Sequence, residues 1–267
     1  MPTQRAPRQT SWDTVADWYT DWVGEDGGRH HREQTIPAAL HLLAPRPDEQ
    51  ILDVGAGPGV LATHIARAGA YYTGIDASPR LLDYARLHHG HHGRFLCADA
   101  CTLDQSRVLR AGTFDAAVFL LSIQDMDPLC DVLRCMAWAL RGGGRVVIVM
   151  THPCFRVPRL SGWGWDEARQ SQYRRVDRYL SPLPVPMEAV GRRGGGGTVR
   201  FHRPLQDYIN GLAHYGFFID RLDEIATYKA PRKGPRSKAE GRAIDEIPVF
   251  LALRAISPVV SPRASGA

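Results

Sequence analysis

Three glycines at alternate positions, Gly55, Gly57 and Gly59, follow directly on the run Ile51-Leu52-Asp53-Val54. A strand that ends in such a turn lets a ligand approach bare backbone, and the helix behind it offers unpaired N–H groups, an arrangement suited to a phosphate or a carboxylate. A nicotinamide or flavin fingerprint wants its third glycine at position 60, and Val60 stands there. Asp76 ends the run YYTGID, 21 positions after Gly55, where an acid accepts hydrogen bonds from two ribose hydroxyls. Asp99 in CADA is a second acid at a strand end, set to accept a hydrogen bond from an adenine amino group. These residues describe a site for an adenosine-bearing cofactor.

Histidine is the natural proton acceptor near neutral pH, and three positions come into question. His152 ends GGRVVIVMTH, on the edge where open α/β sheets bind ligands. His202 sits in RFHRPL, and His30 and His31 sit in the glycine-rich break GEDGGRHH. The cluster His88, His89, His91 and His92 falls between a helix and a strand, away from that edge, and reads as a solvated loop. The 5 cysteines include no C-x-x-C pair, so reduced thiols are expected, with neither a disulfide framework nor structural zinc. No metal is expected.

The elements that must position these residues alternate regularly. QILDVGAG, YYTGIDAS, RFLCADA, FDAAVFLLS and GGRVVIVMTH read as strands, separated by the helices GVLATHIARAG, PRLLDYARLHH and PLCDVLRCMAWALR. After residue 203 a helix, RPLQDYINGLAHYG, precedes two more strands, FFIDRLDEI and EIPVFLALRA. The basic segment Lys229 to Arg242 joins those two as a mobile loop and not as a crossover helix, so they should pair antiparallel. The expected fold is α/β, a doubly wound seven-stranded, mostly parallel sheet with an antiparallel last strand. One domain is expected over residues 11–257: an N-terminal helical cap at 11–45 with Ser11 as N-cap, a cofactor-binding core at 46–152, a lid or substrate insertion at 153–203, and the last helix and strands at 204–257. Residues 1–10 and 258–267 read as flexible tails.

The chain of 267 residues is 44% hydrophobic and 23% charged, the make-up of an ordinary globular protein. No run of about 18 apolar residues suggests a membrane span, no leader is recognisable at the N-terminus, and a cytoplasmic location is the default. The net charge of +5 invites a nucleic-acid reading. The basic excess is mostly arginine spread through the whole chain, which fits a GC-rich coding sequence as well as a polyanion partner.

ILDVGAGPG, IDAS, CADA, FDAAVFLLSIQDM and LRGGGRVVIVM, in that order, resemble the successive motifs of the class I S-adenosylmethionine-dependent methyltransferases, and in particular the small-molecule branch that includes quinone-biosynthesis enzymes. The resemblance implies a Rossmann-like methyltransferase fold and S-adenosylmethionine as cofactor. In that family the alternate glycines face the methionine part of the cofactor, so a valine at position 60 is no defect. It further implies that Gly55, Ala56 and Gly57 line the amino-acid moiety, Asp76 binds the ribose, and Asp99 with Ala100 reads the adenine edge. Ala77 and Cys101 would flank the adenosine, Leu121 and Gln124 would lie near the sulfonium, and Tyr19 would close over the methionine moiety with His31 nearby. The family often has a histidine where this chain has Gln124 or Asp125.

The activity so implied is methyl transfer to oxygen, nitrogen or carbon of a small-molecule acceptor, by in-line displacement and with an optional base. His152 and His202 are the candidate catalytic residues. The insertion is the expected specificity element, with Phe155, Trp163, Trp165 and Tyr173 as an apolar wall against the acceptor. Ten arginines lie between 156 and 203 against four acids, which reads either as an anion site or as a solvated surface with structural ion pairs. An RNA or protein methyltransferase, a non-catalytic binding module and a nicotinamide-dependent oxidoreductase are the alternatives. Nucleic acid is not the expected partner.

Overall fold

The central strands owe their place to near-continuous apolar runs, the pattern of parallel strands covered on both faces. A computed structural model describes residues 12–188 and 197–258. Residues 1–11, Ser11 included, residues 259–267 and most of the glycine run RRGGGGT lie outside the described residues. In chain order the elements are α1 (Ala16–Val23), α2 (Ile36–Leu43), β1 (Gln50–Val54), α3 (Ala62–Arg67), β2 (Tyr71–Asp76), α4 (Pro79–His89) and β3 (Gly93–Cys97). Next come β4 (Phe114–Leu120), α5 (Leu129–Ala139), β5 (Leu140–Thr151), β6 (Ser161–Asp166), β7 (Ser171–Val176), β8 (Leu183–Glu188) and β9 (Gly197–His202). The chain closes with α6 (Leu205–His214), β10 (Phe218–Ile225), α7 (Ser237–Glu246) and β11 (Phe250–Ile256).

Seven strands form one sheet in the order β10-β11-β5-β4-β1-β2-β3. β1 to β5 pair in parallel, whereas β11 is antiparallel to both β5 and β10. Successive strand residues face opposite sides, and the core divides accordingly. Leu52, Val54, Phe119 and Ile148 pack with Leu133, Met136 and Leu212 of α5 and α6. Ile51, Val118, Val147 and Val149 pack with Leu42, Leu61, Ile65 and Leu82 of α2, the turn before α3, α3 and α4. β1 lies between β2 and β4, so the chain winds outward from it in both directions and leaves a crevice at the carboxyl ends of those strands.

Two features depart from the expectation. The stretch 153–203, which breaks the strand-helix alternation, folds as two antiparallel hairpins, β6-β7 and β8-β9. Pro184 and Pro186 are tolerated in β8 because residues two apart direct their backbone to the same side, and this strand pairs only with β9. The basic segment between β10 and β11 is not wholly a loop: Ser237 to Glu246 forms α7, which packs against β7. Gly241 in its middle lowers the helical signal of the sequence.

Candidate active site

The glycine turn is built by sterics. Gly55, Gly57 and Gly59 have φ of 74°, 53° and 84°, a region that costs other residues strain. A Cβ on Gly55 would lie 2.6 Å from Ser122 Cβ, and one on Gly59 would lie 2.9 Å from the Phe95 ring. At Gly57 the nearest atom is Tyr19 Cε1 at 3.7 Å, so this glycine borders open space beneath the tyrosine.

The turn also fixes the acid of β2. The Gly57 N–H donates to Asp76 Oδ2 at 2.9 Å and the Ser78 N–H to Oδ1 at 2.8 Å. Both oxygens keep further lone pairs. Burial raises the Asp76 carboxyl above its ordinary range, and these backbone donors partly offset the rise. Asp99 is held similarly, accepting the Cys101 N–H at 2.9 Å. After β4, Leu121 sits in the left-handed region at φ 57°, an uncommon placement for a branched side chain that the neighbouring structure must enforce. Gln124 is buried with its amide donating to the Leu121 carbonyl at 2.8 Å, and its Oε1 has no protein partner.

These groups open on a cavity of about 1400 Å³ at the carboxyl edge of the sheet. Tyr19, His31, Gly55, Gly57, Asp76, Ala77, Asp99, Ala100, Cys101, Leu121 and Gln124 all line it. Ala56 does not; it lines a small adjoining void with Gly57 and Tyr19. Burial beside Asp125 holds the Tyr19 phenol well above its ordinary range. His31 accepts the Gly28 N–H on Nδ1, and burial lowers its pKa to about 3, so the ring is neutral. His30 lies over Trp22 and Phe250 at centroid distances of 5.3 and 6.3 Å, and burial lowers it to about 4.

The acceptor-side expectations fare differently. Trp163 lines the cavity with the Arg174 guanidinium 5.1 Å from its ring centroid, whereas Phe155, Trp165 and Tyr173 do not line it. Phe155 packs on His152, Trp165 lies under Arg236, and Tyr173 is exposed beside Gly164. Neither candidate base reaches the cavity. His152 is buried, accepts the Cys154 N–H on Nδ1 and meets Glu224 Oε1 through Nε2 at 2.8 Å. His202 is buried with Nε2 against the Tyr179 carbonyl at 2.7 Å. Each imidazole has a ring nitrogen committed to a structural partner, so neither is brought to an acceptor.

Charged groups that the motif reading did not assign stand in the cavity instead. The Asp125 side chain is 8% exposed, and its Oδ1 accepts from Arg200 Nε at 3.2 Å. Burial raises Asp125 to about 6 against the opposing pull of that guanidinium. Arg156, Arg174 and Arg200 of the insertion line the same space, as do Tyr228, Lys229 and Arg232 from the segment before α7. The arginine excess in 153–203 was the available signal; hairpin register decides which of the arginines face inward, and single-sequence periodicity does not reveal register.

The cavity fits an adenosyl amino acid in kind: a backbone cradle, two carboxylates at strand ends, an unpaired amide oxygen and aromatic cover. Comparison with known proteins agrees. Residues 52–148 match the family model described as a methyltransferase domain. The chain is 31% identical over 144 residues to the ubiquinone biosynthesis O-methyltransferase of Xanthomonas campestris pv. campestris, covering 52% of this chain and 60% of that one. It is 34% identical over 140 residues to the protein of the same description from Aeromonas salmonicida, covering 51% and 58%. The chain thus spans less than two thirds of the length of the curated relatives it matches. Among solved structures, an S-adenosylmethionine dependent methyltransferase from Mesorhizobium loti superposes with a TM-score of 0.63 at 26% identity, over 82% of this chain and 96% of that one. The glycine turn, the acid that ends β2, the acid that follows β3 and the reversed β11 are thereby accounted for together: residues 52–148 match a methyltransferase domain, and the chain is similar to the class I S-adenosylmethionine-dependent methyltransferases.

Proposed function

We propose that the protein transfers the methyl group of S-adenosylmethionine to a small-molecule acceptor. The observation that carries this reading is Asp76, clamped by two backbone N–H groups beside the glycine turn and facing a cavity with room for both a cofactor and an acceptor. S-adenosylmethionine would supply an electrophilic methyl group on a sulfonium. Gly55 and Gly57 would admit its amino-acid end, Asp76 would accept from the ribose hydroxyls, and Asp99 with the Ala100 backbone would meet the adenine edge. Leu121 and Gln124 would border the transferring methyl, and Tyr19 would cover the amino-acid end.

The protein's share of catalysis is then positioning and exclusion of water, since in-line displacement needs the acceptor atom about 3–3.5 Å from the methyl. Asp125, next to Gln124 and ionised near neutral pH, is better placed to take an acceptor proton than His152 or His202. A carboxylate there also faces the sulfonium side with a complementary charge. Single-domain architecture over 11–257 and a cytoplasmic location complete the reading; among the described residues, no helix is long and apolar enough to cross a membrane.

Calorimetric titration with S-adenosylhomocysteine and, separately, NAD tests the assignment. Binding of S-adenosylhomocysteine that is weakened about tenfold or more in Asp76→Asn is the expected result. Tight NAD binding with no S-adenosylhomocysteine binding would defeat it.

A further inference from the structure

The insertion brings three guanidinium groups into one cavity, and their partners are unequal. Arg200 is paired with the carboxylate of Asp125. Arg174 donates to two neutral oxygens, the Phe155 carbonyl at 2.7 Å and Ser161 Oγ at 3.1 Å, and lies against Trp163. Arg156 has neither: among the described residues no oxygen accepts a hydrogen bond from its side chain, and its contact is the Phe250 ring, 5.1 Å from the guanidinium carbon. The groups that act on it electrostatically are Arg200, Arg174 and the Tyr228 phenol, and it in turn acts on His30. Partial desolvation between the cavity walls and the two neighbouring arginines lower its pKa to about 10.

Arg156 is exposed into the cavity it lines, so its five N–H donors, held beside two like charges and against the Phe250 ring, are free to meet an anion entering that space. Its fork is suited to a planar or tetrahedral oxyanion. Arg156, Arg174 and Arg200 all belong to the insertion, whereas the cofactor-side acids Asp76 and Asp99 end β2 and follow β3, and neither acts on Arg156. We infer that the methyl acceptor carries a carboxylate or phosphate group, which Arg156 engages, on an apolar or aromatic body that lies among Trp22, Trp163, Tyr228 and Phe250. This inference rests on the methyltransferase reading above for the word acceptor, and on the arginine geometry alone for the anion.

The test is calorimetry on the full chain, with and without S-adenosylhomocysteine, using 4-hydroxybenzoate, the neutral 4-hydroxybenzamide and phenyl phosphate as probes. The expected result is that at least one anion binds about tenfold or more tightly than the amide, and that rising salt weakens it. The carboxylate and phosphate arms show which oxyanion is preferred. Arg156→Gln should abolish the preference with S-adenosylhomocysteine binding unchanged, while Arg156→Lys, which keeps the charge, should retain part of it; melting curves establish that each variant is folded. Equal binding of amide and anions, absence of binding by either anion, or an unaltered preference in Arg156→Gln overturns the inference. Loss of S-adenosylhomocysteine binding in Arg156→Gln also overturns it, because the guanidinium would then serve the cofactor's own carboxylate. Failure of the wild type to bind S-adenosylhomocysteine is a separate outcome that removes the methyltransferase reading; the probe titrations without it still decide the anion site.

Discussion

At the residue scale the most informative groups are carboxylates whose protonation is coupled to burial. Asp53 in β1 is buried, accepts from the Tyr72 hydroxyl at 2.8 Å on Oδ2, and leaves Oδ1 without a protein partner. Burial raises its pKa to about 7 from an unfolded value near 3.8, with the Tyr72 hydroxyl pulling the other way and the nearby Asp76 adding to the rise. The folded state therefore holds this proton more tightly than the unfolded chain does, and its contribution to stability, full below pH 3.8, is lost progressively as pH rises to about 7. Asp53→Asn cannot lose a proton, so melting temperatures measured from pH 5 to 8 should fall less steeply in the variant than in the wild type. Asp125, raised to about 6, predicts a different signature. Methyl transfer should decline as pH drops through about 6 and the declining limb should vanish in Asp125→Asn; a limb that persists unchanged would show that the carboxylate is not involved.

At the scale of elements, the glycine turn separates two kinds of constraint. Gly55→Ala meets both a left-handed backbone and the Ser122 side chain at 2.6 Å, and should cost about 1–3 kcal/mol in chemical denaturation. Gly57→Ala has only the backbone penalty and open space before it, so it should cost less stability while still reducing S-adenosylhomocysteine affinity. The strand-helix order, the antiparallel ending and the turn with its acids were legible in the sequence, because apolar runs, glycine positions and strand-end acids are local signals. The ring of inward arginines and the displacement of His152 and His202 were not. Both depend on hairpin register and on partners distant in sequence, such as Glu224 for His152 and Tyr179 for His202. α7 was hidden because its sequence is polar, with a mid-helix glycine and few residues to bury.

At the scale of the whole molecule, ligand binding and folding are linked, since the cavity exists only in the folded chain. S-adenosylhomocysteine at a hundred times its dissociation constant should stabilise the protein by about 2.7 kcal/mol, seen as a rise in melting temperature of roughly 5–11 °C for a domain of this size. The net charge of +5 gives a further expectation: RNA binding should be absent or insensitive to salt, and binding that falls steeply as salt rises would favour the nucleic-acid alternative. The reversal of β11 has a consequence for where substrate choice lies. Because β11 runs against β5, Phe250 pairs with Thr151, and the segments leaving β5, leaving β10 and entering β11 emerge at one end of the sheet. The walls around Arg156 and Tyr228 hang from those emergence points, whereas the glycine turn and its acids belong to β1, β2 and β3. On the proposed reading, substrate choice therefore falls to the segments between β5 and α6 and between β10 and β11, apart from the strands whose ends hold the methyl donor, with Arg200 and Arg203 joining the two halves through Asp125 and Asp127.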